Sequence, residues 1–174
     1  MTKNAIKNFM EKIAERDFSF CLTCQTCTNG CPCVSLMDYL PHQLMRLLQW
    51  EEFEEALKSK AIWVCVGCNA CTHACPMGIE IPEIMDILRQ EAIKVGIIAE
   101  KDIYEFHRQM LLSLKRHGRV SEFELILAYK TKKGHFFEDI TLGLQMLTKK
   151  KMKLKPARLK ERKKIRAFFE KCPL

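Results

Sequence analysis

The chain has 174 residues, 48% of them hydrophobic, and carries a net charge of +8 and ten cysteines. That length is enough to bury a core of its own. Ten thiols would suit a disulfide scaffold in a short secreted chain. Residues 1–16, however, are charged and amphipathic and lack the apolar run of a secretory signal, so we expect a cytoplasmic protein whose cysteines bind metal.

Taken in order, Ile6, Phe9, Met10 and Ile13 fall at i, i+3, i+4 and i+7 and predict an amphipathic N-terminal helix that Asp17 closes. Phe18 and Phe20 lead into a first cysteine-rich loop. Past it, Pro41 suits the first turn of a helix with Leu44, Leu47 and Leu48 on its buried stripe. Glu51 and Glu52 interrupt the period, Phe53, Ala56 and Leu57 resume it, and Trp63 delivers the chain to a second cysteine-rich loop. Pro82 opens the next helix, with Glu83 in its first turn, Gly96 past its end and a stripe of Ile84, Ile87, Leu88, Glu91 and Val95.

Ile103, Phe106, Met110, Leu111 and Leu114 mark a further helix, stopped by Gly118. Ser121 and Glu124 form a capping-box pair ahead of residues 125–127, and Gly134 follows that helix. Ile140, Leu144 and Leu147 predict one more. After Pro156, Leu159, Ile165, Phe168 and Phe169 predict a last, basic one. No stretch alternates with period two, so the expected fold class is all-α. We divide it into a helical domain over residues 1–100, holding both cysteine loops and the N-terminal helix, and a helical extension over 101–174. Residues 148–174 hold twelve Lys and Arg against Glu161 and Glu170, a net of +10, which leaves −2 of the +8 total for the rest. A basic amphipathic tail of this kind is expected to dock other subunits.

The two loops are one pattern written twice. Residues 20–32 read F-C-L-T-C-Q-T-C-T-N-G-C-P and residues 64–76 read V-C-V-G-C-N-A-C-T-H-A-C-P. Each contains Cys-x2-Cys-x2-Cys-x3-Cys-Pro, the bacterial-type ligand run for a [4Fe–4S] cubane. Three cysteines at x2 spacing can face one cubane, whereas the fourth lies too far along the departing chain and ligates the other cluster in two-cluster proteins of this kind. Cluster A is therefore assigned to Cys21, Cys24, Cys27 and Cys75, and cluster B to Cys65, Cys68, Cys71 and Cys31. Zinc is the competing reading, but it prefers two cysteine pairs closing a tetrahedron, which three consecutive x2 steps fit poorly.

Residues 18–37 and 61–79 contain no Asp, Glu, Lys or Arg over about the length of a membrane span. Both are rich in Cys, Thr, Asn and Gly, and a thiolate-bound cluster is itself negative, so these gaps read as cluster wrapping and no transmembrane segment is expected. Cys33 reads as a small buried residue beside cluster B and Cys172 as an incidental thiol. His73 could tune cluster B or sit on the loop surface, and Met77 and Met85 could lie near a cluster. No catalytic constellation, Gly-rich phosphate loop or G-x-G-x-x-G motif accompanies the cysteines, which points to a non-catalytic electron-transfer chain.

The paired motifs, Ile62-Trp63 before the second one, and residues 77–96 (M-G-I-E-I-P-E-I-M-D-I-L-R-Q-E-A-I-K-V-G) resemble the C subunit of heterodisulfide reductase. The Gly118-Arg119-Val120 turn and its helical C-terminal region add to a likeness spanning about residues 15–150, closest over 20–96. The resemblance implies an α-helical ferredoxin-type dicluster domain with two [4Fe–4S] clusters. It also implies electron transfer between a flavin-containing A-type subunit and a catalytic B-type subunit with cysteine-rich CCG motifs, where disulfides are cleaved or formed. A ferredoxin-like or hydrogenase-linked donor is a further candidate partner, and such partners could hold the chain peripherally at a membrane. A more distant likeness, to the iron–sulfur subunits of succinate dehydrogenase, fumarate reductase and anaerobic glycerol-3-phosphate dehydrogenase, leaves a quinone-linked role as the alternative. The basic tail also allows two lesser readings, nucleic-acid binding and membrane-surface attachment.

Overall fold

The computed structural model describes residues 18–122, 124, 125, 159 and 162–171. Among them the chain is helical and no residue lies in a strand, so the all-α, ferredoxin-type expectation holds. The predicted N-terminal helix, the helix at 140–147, Gly134, Pro156 and Cys172 lie outside the described residues. The chain divides into two compact units, Met1–Lys101 and Asp102–Leu174.

The first unit is built from six helices among its described residues: α1 (Thr26–Asn29), α2 (Pro41–Gln49), α3 (Phe53–Lys58), α4 (Ala61–Val64), α5 (Ala70–Ala74) and α6 (Ile81–Val95). Proline opens α2, and Gln43 Oε1 accepts the Leu40 N–H at 2.9 Å, satisfying one of the donors a helix start leaves over. Glu51, at φ 61°, reverses the chain after α2. Glu54 and Glu55 then occupy the first turn of α3, where carboxylates oppose the positive end of the helix. At the end of α6, Gly96 takes φ 81° and Ile97 N–H reaches back to Ala92 O at 2.8 Å, the left-handed closure that glycine allows.

Helices α1 and α5, each carrying the third cysteine of its motif, pack on each other. Around this pair, α2 packs on α1, on α3 and on the short 3-10 turn at Phe18–Phe20, while α6 packs on α3, α4 and α5. Leu44, Met45, Leu48, Leu57, Ile62, Ile84, Met85 and Leu88 are fully buried between them. Each large aliphatic side chain taken out of water here contributes about 1.5–3 kcal/mol.

Two stripes differ from expectation. Met45 takes the inward place given to Leu47, and Met85 and Ala92 take those given to Ile87 and Val95. Each helix meets neighbours on more than one side, which widens and rotates its buried arc by a residue. Glu91 is buried as expected of its stripe and pairs with Lys94 at 2.8 Å.

In the second unit, α7 (Lys101–His117) ends at Gly118, whose φ of 77° stops it, and α8 (Arg162–Lys171) is the basic helix. Leu159 N–H donates to His117 O at 3.2 Å, and Lys115 Nζ lies 6.0 Å from the Phe169 ring. Only half of the Ser121–Glu124 capping box forms. Ser121 Oγ accepts the Glu124 N–H at 3.5 Å, but the Glu124 carboxylate turns to α7 instead, reaching Arg116 and His117 at 2.7 Å each and Ser113 Oγ at 3.3 Å. Several cationic and polar partners on one helix outweigh a single backbone N–H. Among the described residues no helix is long and apolar enough to cross a membrane.

Candidate metal centre

The repeat in the cysteine loops is also a repeat in backbone conformation. Thr23 and Gln25 in the first loop have φ of 56° and 65°, and their counterparts Gly67 and Asn69 have 64° and 61°. Two left-handed residues between three cysteines wind each loop tightly, and the three thiols line one concave site; backbone wound in this way favours anions. Gly67 adopts this conformation freely, whereas β-branched Thr23 does so at a cost. Gln25 and Asn69 then serve as the residues from which α1 and α5 start.

Each loop lines a concave site. Cys21, Cys24 and Cys27 share the first with Cys75, and Cys65, Cys68 and Cys71 share the second with Cys31. The fourth cysteine of each motif thus faces the loop of the other. Pro76, Met77 and Ile79 close the first site, Pro32, Met37 and Met85 the second, and Ile81 lines both. Neither site is lined by Asp, Glu, Lys or Arg.

Four thiols and largely apolar walls suit a negatively charged iron–sulfur cluster. Among the described residues no group of three or more His, Cys, Asp or Glu draws together to hold a single ion, as a zinc site requires. A cubane places a separate iron at each corner, so its ligands stand apart around a cavity.

The thiols feel their surroundings unequally. Burial pushes Cys71 up to about 11, helped by the neighbouring Cys65 charge, and burial likewise raises Cys27 and Cys65. The hydrogen bond with Thr26 Oγ1, at 3.2 Å, lowers exposed Cys24. Loading the buried positions therefore displaces protons, a cost that several metal–thiolate bonds offset.

Two helices clamp the loops from behind. Gln49 Nε2 at the end of α2 donates to the carbonyls of Ser19 (3.0 Å), Cys21 (3.2 Å) and Phe18 (3.4 Å). On α6, Arg89 donates to Ile62 O (Nε, 2.9 Å) and Cys65 O (Nη2, 3.0 Å) and pairs with Asp86 at 2.8 Å. Both therefore hold the first cysteine of the motif that precedes them.

Residues 20–80 match the family model described as "4Fe-4S dicluster domain". The C subunit of the H(2):CoB-CoM heterodisulfide,ferredoxin reductase of Methanothermobacter thermautotrophicus is 31% identical over 99 residues, covering 55% of this chain and 54% of that protein. The C subunit of the Ferredoxin:CoB-CoM heterodisulfide reductase of Methanosarcina acetivorans is 37% identical over 84 residues, covering 48% and 34%. The iron-sulfur C subunit of the CoB--CoM heterodisulfide reductase of Methanopyrus kandleri is 35% identical over 98 residues, covering 56% and 48%. The chain is similar to the C subunit of heterodisulfide reductase. It spans about half the length of these curated relatives or less.

Within this heterodisulfide-reductase-like chain, Cys33 lines the second site beside Cys31. His73 is exposed on α5 and lines neither site. Met77 lines the first site and Met85 the second. Sequence reasoning missed His42, which lines the first site at the start of α2 and bonds Thr28 Oγ1 through Nδ1 at 2.7 Å. It also missed Gln49, Arg89 and Asp38. A signal for the clamps existed: Leu44, Met45, Leu48 and Gln49 recur as Ile84, Met85, Leu88 and Arg89, forty residues on. The cysteines repeat at forty-four, so one fixed offset hides the helices.

Proposed function

We propose that this chain is the electron-transfer subunit of a heterodisulfide-reductase-type complex. It holds two [4Fe–4S] clusters and relays electrons between a flavin-containing subunit and a catalytic subunit of thiol–disulfide chemistry. The observation that carries the reading is the pair of sites, each lined by three thiols of one motif and the fourth of the other, that share a wall at Ile81. Cys21, Cys24, Cys27 and Cys75 are the proposed ligands of cluster A, and Cys65, Cys68, Cys71 and Cys31 those of cluster B. Bound there, each cluster supplies reversible one-electron chemistry.

The side chains around them keep that chemistry outer-sphere. Four thiols per site leave no open coordination position for a substrate. Pro, Met and Ile side chains make the walls apolar, and the clamps of Gln49 and Arg89 keep each loop in place. Each site has one exposed thiol, Cys24 in the first and Cys68 in the second, so a partner's redox centre can approach either from outside. The basic helix α8, with Phe168 exposed, supports docking of the second unit to another subunit. The setting proposed is the cytoplasm.

Iron and sulfide analysis of anaerobically purified protein should find about eight of each per chain, since each cubane holds four. The ligand sets make a sharper test by electron paramagnetic resonance. Cys75→Ser should disturb the same signal as Cys24→Ser, and Cys31→Ser the same signal as Cys68→Ser. If Cys75→Ser and Cys68→Ser disturb one signal together, the crossed assignment is wrong.

A further inference from the structure

Because the two sites are built on one repeat, side chains at equivalent positions show how they differ. Thr26 opens α1 and its Oγ1 lies 3.2 Å from Cys24 Sγ; its counterpart, Ala70, has no hydroxyl. Thr28 Oγ1 lies 2.7 Å from His42 Nδ1 and 4.0 Å from Cys27 Sγ, and also faces the His42 backbone N–H at 3.5 Å. Its counterpart Thr72 has a buried hydroxyl with no hydrogen-bond partner, although neither threonine lines its site's wall. His42 lines the first site; forty residues on, in α6, stands Pro82, which lines the second and offers no donor. The first site thus has an imidazole in its wall and two hydroxyls bonded to its thiols, where the second has Pro82, Ala70 and a Thr72 hydroxyl without a partner.

A metal-bound thiolate only accepts hydrogen bonds, so Thr26 must donate to Cys24. In the tautomer with its proton on Nδ1, His42 donates to Thr28 and leaves the Thr28 proton to turn toward Cys27. Adding an electron makes a cluster more negative, and donors aimed at its sulfurs favour that state, which raises the reduction potential. Two features of the second site work the other way, and both are weak. Arg89 brings a positive charge near Cys65, but Asp86 pairs with it at 2.8 Å, and its remaining bonds go to carbonyls, as those of Gln49 do. Cys33 lines the second site, but a thiol is a poor donor.

We infer that the site of Cys21, Cys24, Cys27 and Cys75 is the higher-potential centre of the two, its lead set by Thr26 and by the Thr28–His42 pair. This ranking rests on the two-cluster reading proposed above. At equilibrium a single electron would then reside at the first site in preference to the second.

The test is a potentiometric reduction of the holoprotein followed by electron paramagnetic resonance, in which the clusters reduce in two steps. Thr26→Ala and His42→Phe should each lower the upper step and leave the lower one in place. Ala70→Thr should raise the lower step and narrow the gap. The inference is overturned if Thr26→Ala moves the lower step, if Ala70→Thr moves the upper one, or if neither moves anything. Iron and sulfide near eight per chain in every variant would locate such a failure in the ranking. About half that content in the unaltered chain would instead sink the two-cluster reading itself.

Discussion

Replacing Asp38 by alanine should loosen the second cysteine loop and spare the first. Asp38 stands in the stretch after the first motif, yet it binds the segment leading into the second. Its Oδ1 accepts from the Ser59 hydroxyl (2.8 Å), the Tyr39 N–H (2.8 Å) and the Ala61 N–H (3.0 Å), and its Oδ2 from the Lys60 N–H (2.8 Å). In the alanine variant the exposed N–H groups of Tyr39 and Lys60 can turn to water, so each loses only about 0.5 kcal/mol. Ala61 N–H keeps a second acceptor, Ser59 Oγ at 3.1 Å. Ser59 is 1% exposed and its proton is left without Asp38, a loss of about 1.5–3 kcal/mol for a bond to a charged group. The expected cost is about 3 kcal/mol in all.

The pH dependence of that contribution has a defined sign. Burial pushes the Asp38 carboxyl up, but the bonds from Lys60, Ser59, Tyr39 and Ala61 outweigh it and hold the group below its ordinary value. The contribution is thus complete above the unfolded carboxylate value of about 3.9 and disappears as the pH falls through the lower folded one. Hydrogen exchange resolved by segment is the assay, with residues 59–68 expected to exchange faster and residues 20–27 unchanged. A loss of stability below about 1 kcal/mol, or equal acceleration over both loops, would refute the reasoning.

Further outcomes follow from the clamps and the second unit. Arg89→Ala removes the bonds to the Ile62 and Cys65 carbonyls from a side chain 21% exposed and should cost about 2 kcal/mol in chemical denaturation of the holoprotein. Arg89→Gln, copying Gln49, should recover about half of that, and equal losses in both variants would show that charge alone matters. Gly118→Ala places a Cβ at φ 77°, 3.0 Å from Leu159 Cβ and 3.2 Å from Ile165 Cδ1. It should cost about 2 kcal/mol by calorimetry without changing iron content. For Glu124, burial pushes the carboxyl up, but the hydrogen bonds of Arg116 and His117 prevail and hold it below its ordinary value. Its contribution should be whole above about pH 4.3 and vanish below the folded value, so Glu124→Gln should flatten the acid limb of a circular-dichroism pH curve for this unit.

The cysteine spacing, the prolines and the terminal glycines could be read along the chain because each acts on its immediate neighbours. Pro41, Glu51 and Gly96 punctuate the helices where local backbone chemistry says they should. What lies across the fold could not be read that way. Met45 and Met85 displace Leu47 and Ile87 because the burial of a helix face depends on how many neighbours it meets. Asp38 binds Lys60, twenty-two residues on, and Gln49 binds Ser19, thirty residues back. Such bonds leave no periodicity, and an Asp or a Gln near a helix end reads as surface. His73 drew notice because it lies inside a motif, while His42, eleven residues past Cys31, is the imidazole that lines a site.

The crossing of the fourth cysteines bears on how such a chain can be divided. A fragment holding one motif would own three thiols of one site and a single thiol of another, since Cys31 and Cys75 each line the opposite loop. It could complete four only by facing a second fragment, each lending its last cysteine to the other. The smallest self-sufficient ancestor compatible with this geometry is therefore a symmetric dimer of half-chains. In one polypeptide the two halves can differ at Thr26 and Ala70, or at His42 and Pro82, differences that identical partners could not hold.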